Sequence, residues 1–132
     1  MLKQAKKTKR IVLVDDEPDF HAVVRDWLAP KYEFVSLLSG EGLADELSGL
    51  EPDLLLLDVR LPGEDGFKLC RKLRADGRFD DLPVLFLTAS STDSDFLLGF
   101  EVGGSGYLTK PIERRLLLAR VRRLLEEAPA AS

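Results

Sequence analysis

The chain has 132 residues, 45% hydrophobic and 32% charged, with a formal net charge of −4, which suits one soluble globular domain with a real core and excludes a disordered or fibrous chain. No apolar run approaches the roughly 18 residues that span a bilayer, and the opening MLKQAKKTKR lacks the apolar centre of a secretion signal, so neither a membrane role nor export is expected. One cysteine, Cys70, and one histidine, His21, exclude an internal disulfide, disfavour zinc and suit a cytoplasmic location, while the acidic balance argues against direct nucleic-acid binding.

Residues 1–9 read as a basic tail. Arg10–Val14 is short, branched and continuously apolar, the pattern of a strand buried on both faces. Asp19–Ala29 places Phe20, Val23, Val24, Trp27 and Leu28 on one helical stripe, closed by Pro30. His21 lies beside that stripe and is expected at the surface. Tyr32–Ser36 predicts a second strand and GEGLADELSGL a short helix. DLLLLD is a third strand, ending in Asp58, and VRLPGEDG a loop punctuated by proline and glycine. GFKLCRKLRAD predicts a helix with Cys70 as a small core residue; PVLFLT is a fourth strand, ending in Thr88. STDSDFLLGFEVGG contains a helix with capping residues at its start. YLTK is a short fifth strand before Pro111, and IERRLLLARVRRLLEEA a last helix with Leu117, Val121 and Leu124 inward. Residues 128–132 read as a tail or the start of a linker.

Alternating apolar strands and amphipathic helices predict an α/β fold, a parallel five-stranded sheet covered on both faces, over residues 10–127. In such sheets ligands bind beyond the carboxyl ends of the strands, where strand order reverses. Asp15 and Asp16 follow the first strand, Asp58 the third, Thr88 the fourth and Lys110 the fifth. In the order 2-1-3-4-5, three carboxylates, a hydroxyl and an ammonium converge on one edge. Singly, each has an ordinary explanation as a cap, a turn or a solvated charge; together they are the groups that phosphoryl transfer to a carboxylate requires. Clustered acids suit a hard cation with oxygen ligands, and Mg²⁺ fits. One acid is then left to attack phosphorus. Glu17 is expected only to favour the helix start, and Pro18 to suit its first turn.

With VDDEP, LLLLDVRLPGEDG, LTAS and GYLTKP in the right order on the right elements, the chain resembles the receiver domain of two-component response regulators (the CheY-like superfamily). The resemblance implies the flavodoxin-like (βα)5 sandwich. It implies Asp58 as phosphoacceptor, Asp15 and Asp16 as Mg²⁺ ligands together with Asp58 and the backbone carbonyl of Arg60, and Lys110 as the cation on the phosphoryl group. It implies Thr88 as switch hydroxyl, Tyr107 as the aromatic that turns with it, and a cis Lys110–Pro111 peptide. The partner is then a sensor histidine kinase or histidine phosphotransfer protein, with a homodimer through the fourth helix, fifth strand and fifth helix as a further partner. Beyond catalysing its own phosphorylation and slow dephosphorylation, the chain is read as a regulator and not an enzyme.

Three features depart from the family pattern. GGSG before Tyr107 is expected to loosen that loop. Arg60 and Ser90 stand two residues beyond Asp58 and Thr88, with Arg60 expected to screen or pair with the phosphoryl group. Arg114, Arg115 and Arg122 are read as partner-selecting residues on the last helix. The rival readings are a receiver-like binding domain that does not use phosphorylation, and a Mg²⁺-dependent aspartyl-phosphate phosphatase, which the DDEP arrangement and the absence of a cap domain disfavour.

Overall fold

The computed structural model describes residues 8–127; most of the basic tail (1–7) and the tail or linker expected at 128–132 lie outside them. Five parallel strands form the central sheet: β1 (Arg10–Val14), β2 (Glu33–Leu37), β3 (Leu54–Leu57), β6 (Val84–Thr88) and β7 (Gly106–Thr109), in the order β2-β1-β3-β6-β7. Two two-residue strands, β4 (Arg60–Leu61) and β5 (Glu64–Asp65), pair antiparallel within the segment expected to be a loop. The helices are α1 (Pro18–Leu28), α2 (Leu43–Leu50), α3 (Gly66–Asp76), α4 (Asp93–Glu101) and α5 (Arg114–Glu127).

Alternate strand residues feed two cores. Val12, Val14, Leu55, Leu57, Val84 and Phe86 meet Leu47 of α2 and Phe67, Cys70 and Leu73 of α3. Ile11, Leu13, Leu54, Leu56, Leu85 and Leu87 meet Val24 and Leu28 of α1 and Leu117, Val121 and Leu125 of α5. β1, β3 and β6 read as unbroken apolar runs because both faces are covered. Each fully buried leucine contributes about 1.5–3 kcal/mol.

Helix starts are specified locally. Asp65 caps α3 by accepting from the Phe67 N–H at 2.8 Å, and Thr92 caps α4 by accepting from the Asp95 N–H. α1 begins at Pro18 itself, whose fixed φ suits the first helical position. Gly66 is pressed onto the acceptor's peptide: a Cβ there would lie 2.2 Å from the Asp58 carbonyl oxygen and 2.7 Å from the Val59 Cα.

The GGSG loop is pinned, contrary to expectation. The Gly103 carbonyl accepts two bonds from the Arg74 guanidinium (3.1 and 2.7 Å). The Gly104 N–H donates to Gly99 O and the Ser105 N–H to Val84 O. Gly103 has φ +102°, and a Cβ on Gly104 would sit 2.6 Å from both Gly99 O and the Phe86 ring. The glycines serve close approach and a left-handed turn, and the bonds remove the freedom they would otherwise bring.

Candidate functional site

The sheet ladder continues one hydrogen bond past three strand ends, each time at a residue singled out in the sequence. The Asp15 N–H donates to Leu37 O at 3.1 Å, the Asp58 N–H to Val14 O at 3.0 Å, and the Lys110 N–H to Thr88 O at 2.7 Å. The backbone thus holds these side chains at the carboxyl edge, beside the point where β1 and β3 turn away from each other in the topology.

There the charges meet. Lys110 Nζ lies 2.7 Å from Asp15 Oδ2, 3.4 Å from Asp58 Oδ2 and 3.5 Å from Glu17 Oε1. It also sits 4.3 Å from the centre of the Phe20 ring, a cation–π contact. Asp15, Asp16 and Asp58 each offer a carboxylate oxygen, all within 4.8 Å of one another. Asp15 (0% exposed) and Asp58 (5%) are buried, and Asp16 faces solvent. Burial pushes the Asp58 carboxyl above its ordinary value, reinforced by Asp15; the Arg60 N–H, donating to Asp58 Oδ1 at 3.2 Å, and Lys110 work the other way without cancelling it. Burial alone would lower Lys110, but its bond and charge pairing with Asp15, then Asp58 and Glu17, hold it above its ordinary value. An oxygen-only donor set of three crowded acids suits a small hard cation. The Lys110–Pro111 peptide is cis.

Thr88 is fully buried, and its Oγ1 accepts from the Ser90 N–H at 3.3 Å. Tyr107 pairs with Phe86 in the β6–β7 register, turns inward, and donates its hydroxyl to Ser90 O at 2.9 Å. Asp15, Asp16, Asp58, Thr88 and Lys110 therefore lie at one end of the sheet, and Tyr107 is joined to it through Ser90.

Two expectations change. His21 is buried, not at the surface: its Nε2 bonds the Asp15 carbonyl at 2.7 Å, with Nε2 necessarily the protonated nitrogen, while Nδ1 is buried with no partner. Asp15 O leaves β1 without a backbone donor, and a ring nitrogen one helical turn on supplies one. Glu17 does more than start α1. Its side chain caps nothing and instead joins the carboxylates around Lys110. Arg60 directs its guanidinium to Asp95 on α4 (3.9 Å). No spacing rule links positions 60 and 95, so sequence reading had no signal for that pair.

The response regulator receiver domain model matches residues 11–122. The chain is 42% identical over 120 residues to the DNA-binding dual master transcriptional regulator RpaA of Synechocystis sp., covering 88% of this chain and 48% of RpaA. It is 40% identical over 119 residues to the transcriptional regulatory protein BaeR of Escherichia coli O6:H1, covering 89% and 48%. Among solved structures, the BeF3-activated N-terminal receiver domain of Klebsiella pneumoniae RstA superposes with a TM-score of 0.82 at 35% identity, over 89% of this chain and 98% of that one. The chain spans about half the length of the curated relatives it matches. Because those relatives include the DNA-binding regulator RpaA, they give no support to the expectation that nucleic acid plays no part. None of the described helices is long and apolar enough to cross a membrane. With the five-strand order and the acidic edge already described, these matches establish that the chain belongs to the response regulator receiver domains, phosphorylation-activated signalling switches of two-component systems.

Proposed function

We propose that Asp58 accepts a phosphoryl group from a phosphohistidine on a sensor histidine kinase or histidine phosphotransfer protein. The observation that carries this is the buried Asp58 carboxylate held between Lys110 and a second buried acid, Asp15. An Asp58 oxygen attacks phosphorus, the P–N bond to the donor imidazole breaks, and the imidazole leaves with the electron pair and takes a proton. Asp15, Asp16, Asp58 and the Arg60 backbone carbonyl would hold Mg²⁺, and their oxygen-only chemistry fits it. When bound, the ion offsets the charge of the phosphoryl oxygens. Lys110 adds a second positive charge, already within reach of Asp58 Oδ2. Thr88 offers a hydroxyl to a phosphoryl oxygen, and Tyr107 follows through Ser90. The result is a shift between two packings of the face formed by α4, β7 and α5.

That face carries exposed Phe96, Leu97, Phe100 and Leu116, with Arg120 next to Gly106 of β7; Arg114, Arg115 and Arg122 are exposed on α5, but Arg122 lies near Tyr32, between α1 and β2. This composition supports a role in choosing a partner or a second copy. RpaA and BaeR are regulators of transcription about twice the matched length, so an attached nucleic-acid-binding region is compatible with this reading, and the cytoplasm is the setting it requires.

Mass spectrometry after incubation with acetyl phosphate and Mg²⁺ tests the reading, with Asp58→Asn as control. One added phosphoryl group on the wild type and none on the variant is the expected result. A gain that survives in Asp58→Asn means another acceptor. No gain, together with no spectral response to beryllofluoride, means a binding domain that does not use phosphorylation.

A further inference from the structure

Ser90, through which Tyr107 follows Thr88, also bonds Asp95, a residue to which the proposed phosphorylation gives no role. Ser90 is 5% exposed and makes three contacts. Its N–H reaches Thr88 Oγ1, its carbonyl accepts the Tyr107 hydroxyl, and its Oγ donates to Asp95 Oδ2 at 2.5 Å. The same Asp95 oxygen lies 3.9 Å from the Arg60 guanidinium. Arg60 in turn is anchored at Asp58, because its backbone N–H bonds Asp58 Oδ1. One carboxylate in the first turn of α4 therefore stands between the arginine beside the acceptor and the serine that holds Tyr107.

The Arg60 side chain is 67% exposed and that of Asp95 28%, so the pair is loose and easily exchanged. A phosphoryl group on Asp58 would bring roughly −1.5 to −2 charge and three acceptor oxygens. Arginine prefers such a group for its planar, forked donors. Arg60 would then face two anions, the phosphoryl group and Asp95. Asp95 keeps Ser90 as a partner whichever way Arg60 turns. Arg60, drawn to the phosphoryl group, would lie across the path of an attacking water; drawn to Asp95, it leaves that path open.

We infer that Asp95 is a positioning residue that competes with the phosphoryl group for Arg60, and so sets both the lifetime of the phosphorylated form and the tether between α4 and the acceptor loop. The inference rests on the proposed role of Asp58. In hydrolysis, water adds to phosphorus, the P–O bond to Asp58 breaks, and the Asp58 carboxylate and inorganic phosphate separate with release of a proton. Asp95 takes no part in those bonds and acts only through where Arg60 lies.

The test is a double-mutant cycle on the full chain. Loss of phosphate is followed for the wild type, Asp95→Asn, Arg60→Met and the double variant, each first phosphorylated with acetyl phosphate and Mg²⁺. Asparagine keeps an oxygen for the Ser90 hydroxyl and removes only the charge. Asp95→Asn is expected to slow dephosphorylation about fivefold, the range of a partly exposed charge pair, and to have no effect when Arg60 is Met. The slowing should shrink as salt is raised. A merely structural Asp95 would show equal effects with and without Arg60. Equal effects, no effect in either background, or faster loss overturns the inference. If the wild type gains no phosphoryl group on Asp58, the underlying reading fails first and the inference falls with it, an outcome seen before any rate is measured.

Discussion

The two ends of the sheet handle charge in opposite ways. At the amino end, Arg10 and Arg74 are each met by acceptors. The Arg10 N–H donates to Asp53 Oδ2 at 2.8 Å, the Arg10 guanidinium pairs with Glu33 at 2.7 Å and also bonds Leu50 O, and Arg74 closes on Gly103 O. The Ser105 N–H and Oγ tie β7 to Val84. At the carboxyl end one ammonium, Lys110, serves Asp15, Glu17 and Asp58, with Asp16 beside them. Four carboxylates around one lysine are unfavourable in the free protein. The amino end is built to persist; the carboxyl end is left short of positive charge, which is how it would attract a cation and a phosphoryl group.

The contrast can be broken in order of expected effect, using urea denaturation at pH 7 in EDTA. Lys110→Met strips the carboxyl end of its cation while leaving Asp15 and Asp58 buried, and should cost about 3 kcal/mol; a loss no larger than that of an exposed charge would mean that solvent already screens the cluster. Gly104→Ala attacks the amino end by packing, not charge. Its Cβ would overlap Gly99 O and the Phe86 ring, at about 2 kcal/mol, and a neutral result would show that the loop yields. Asp58→Asn should raise stability by about 1 kcal/mol, because burial holds the Asp58 carboxyl above its ordinary value. The sign follows from linkage. The folded state binds this proton more tightly than the unfolded chain, so ionised Asp58 destabilises the fold above its raised folded value. As pH falls toward 3.8, the ordinary value of an aspartate carboxyl, the wild type protonates first when folded and closes the gap on the variant. A gap that widens on acidification contradicts the shift. Glu33→Gln, in an exposed pair, should change stability by about 0.3 kcal/mol or less.

The strands and their ends were readable because burial on both faces forces unbroken apolar runs, and Val14 into Asp15 or Leu57 into Asp58 marks where the apolar run gives way to a buried acid. Helix α3 was bounded correctly from Gly66 to Asp76 because its cap and terminal Gly77 are local. The strand order was a condition of the sequence reading that the family resemblance supplied, and the sheet has it. What escaped notice depends on tertiary neighbours. His21 is polar, and only a carbonyl left bare at the end of β1 makes it a core residue. Glu17 looked like a helix-start acid until Lys110 arrived from 93 positions away. The GGSG stretch looked mobile because its partners, Arg74, Phe86 and Val84, lie on other elements.

Gly66 carries no charge, donates only its backbone N–H to Val59 O at 2.8 Å, and leaves no room for a Cβ against the Asp58 peptide. A saturation library selected for signalling should therefore tolerate nothing but glycine at this position, as strictly as it demands aspartate at 58. Selection reads outcome, not chemistry, and a contact that seats the acceptor will look in such data like a member of the reacting set. Sorting the library first for folded protein would not separate the two positions in the same way, since Asp58→Asn passes that filter and a bulky residue at 66 does not.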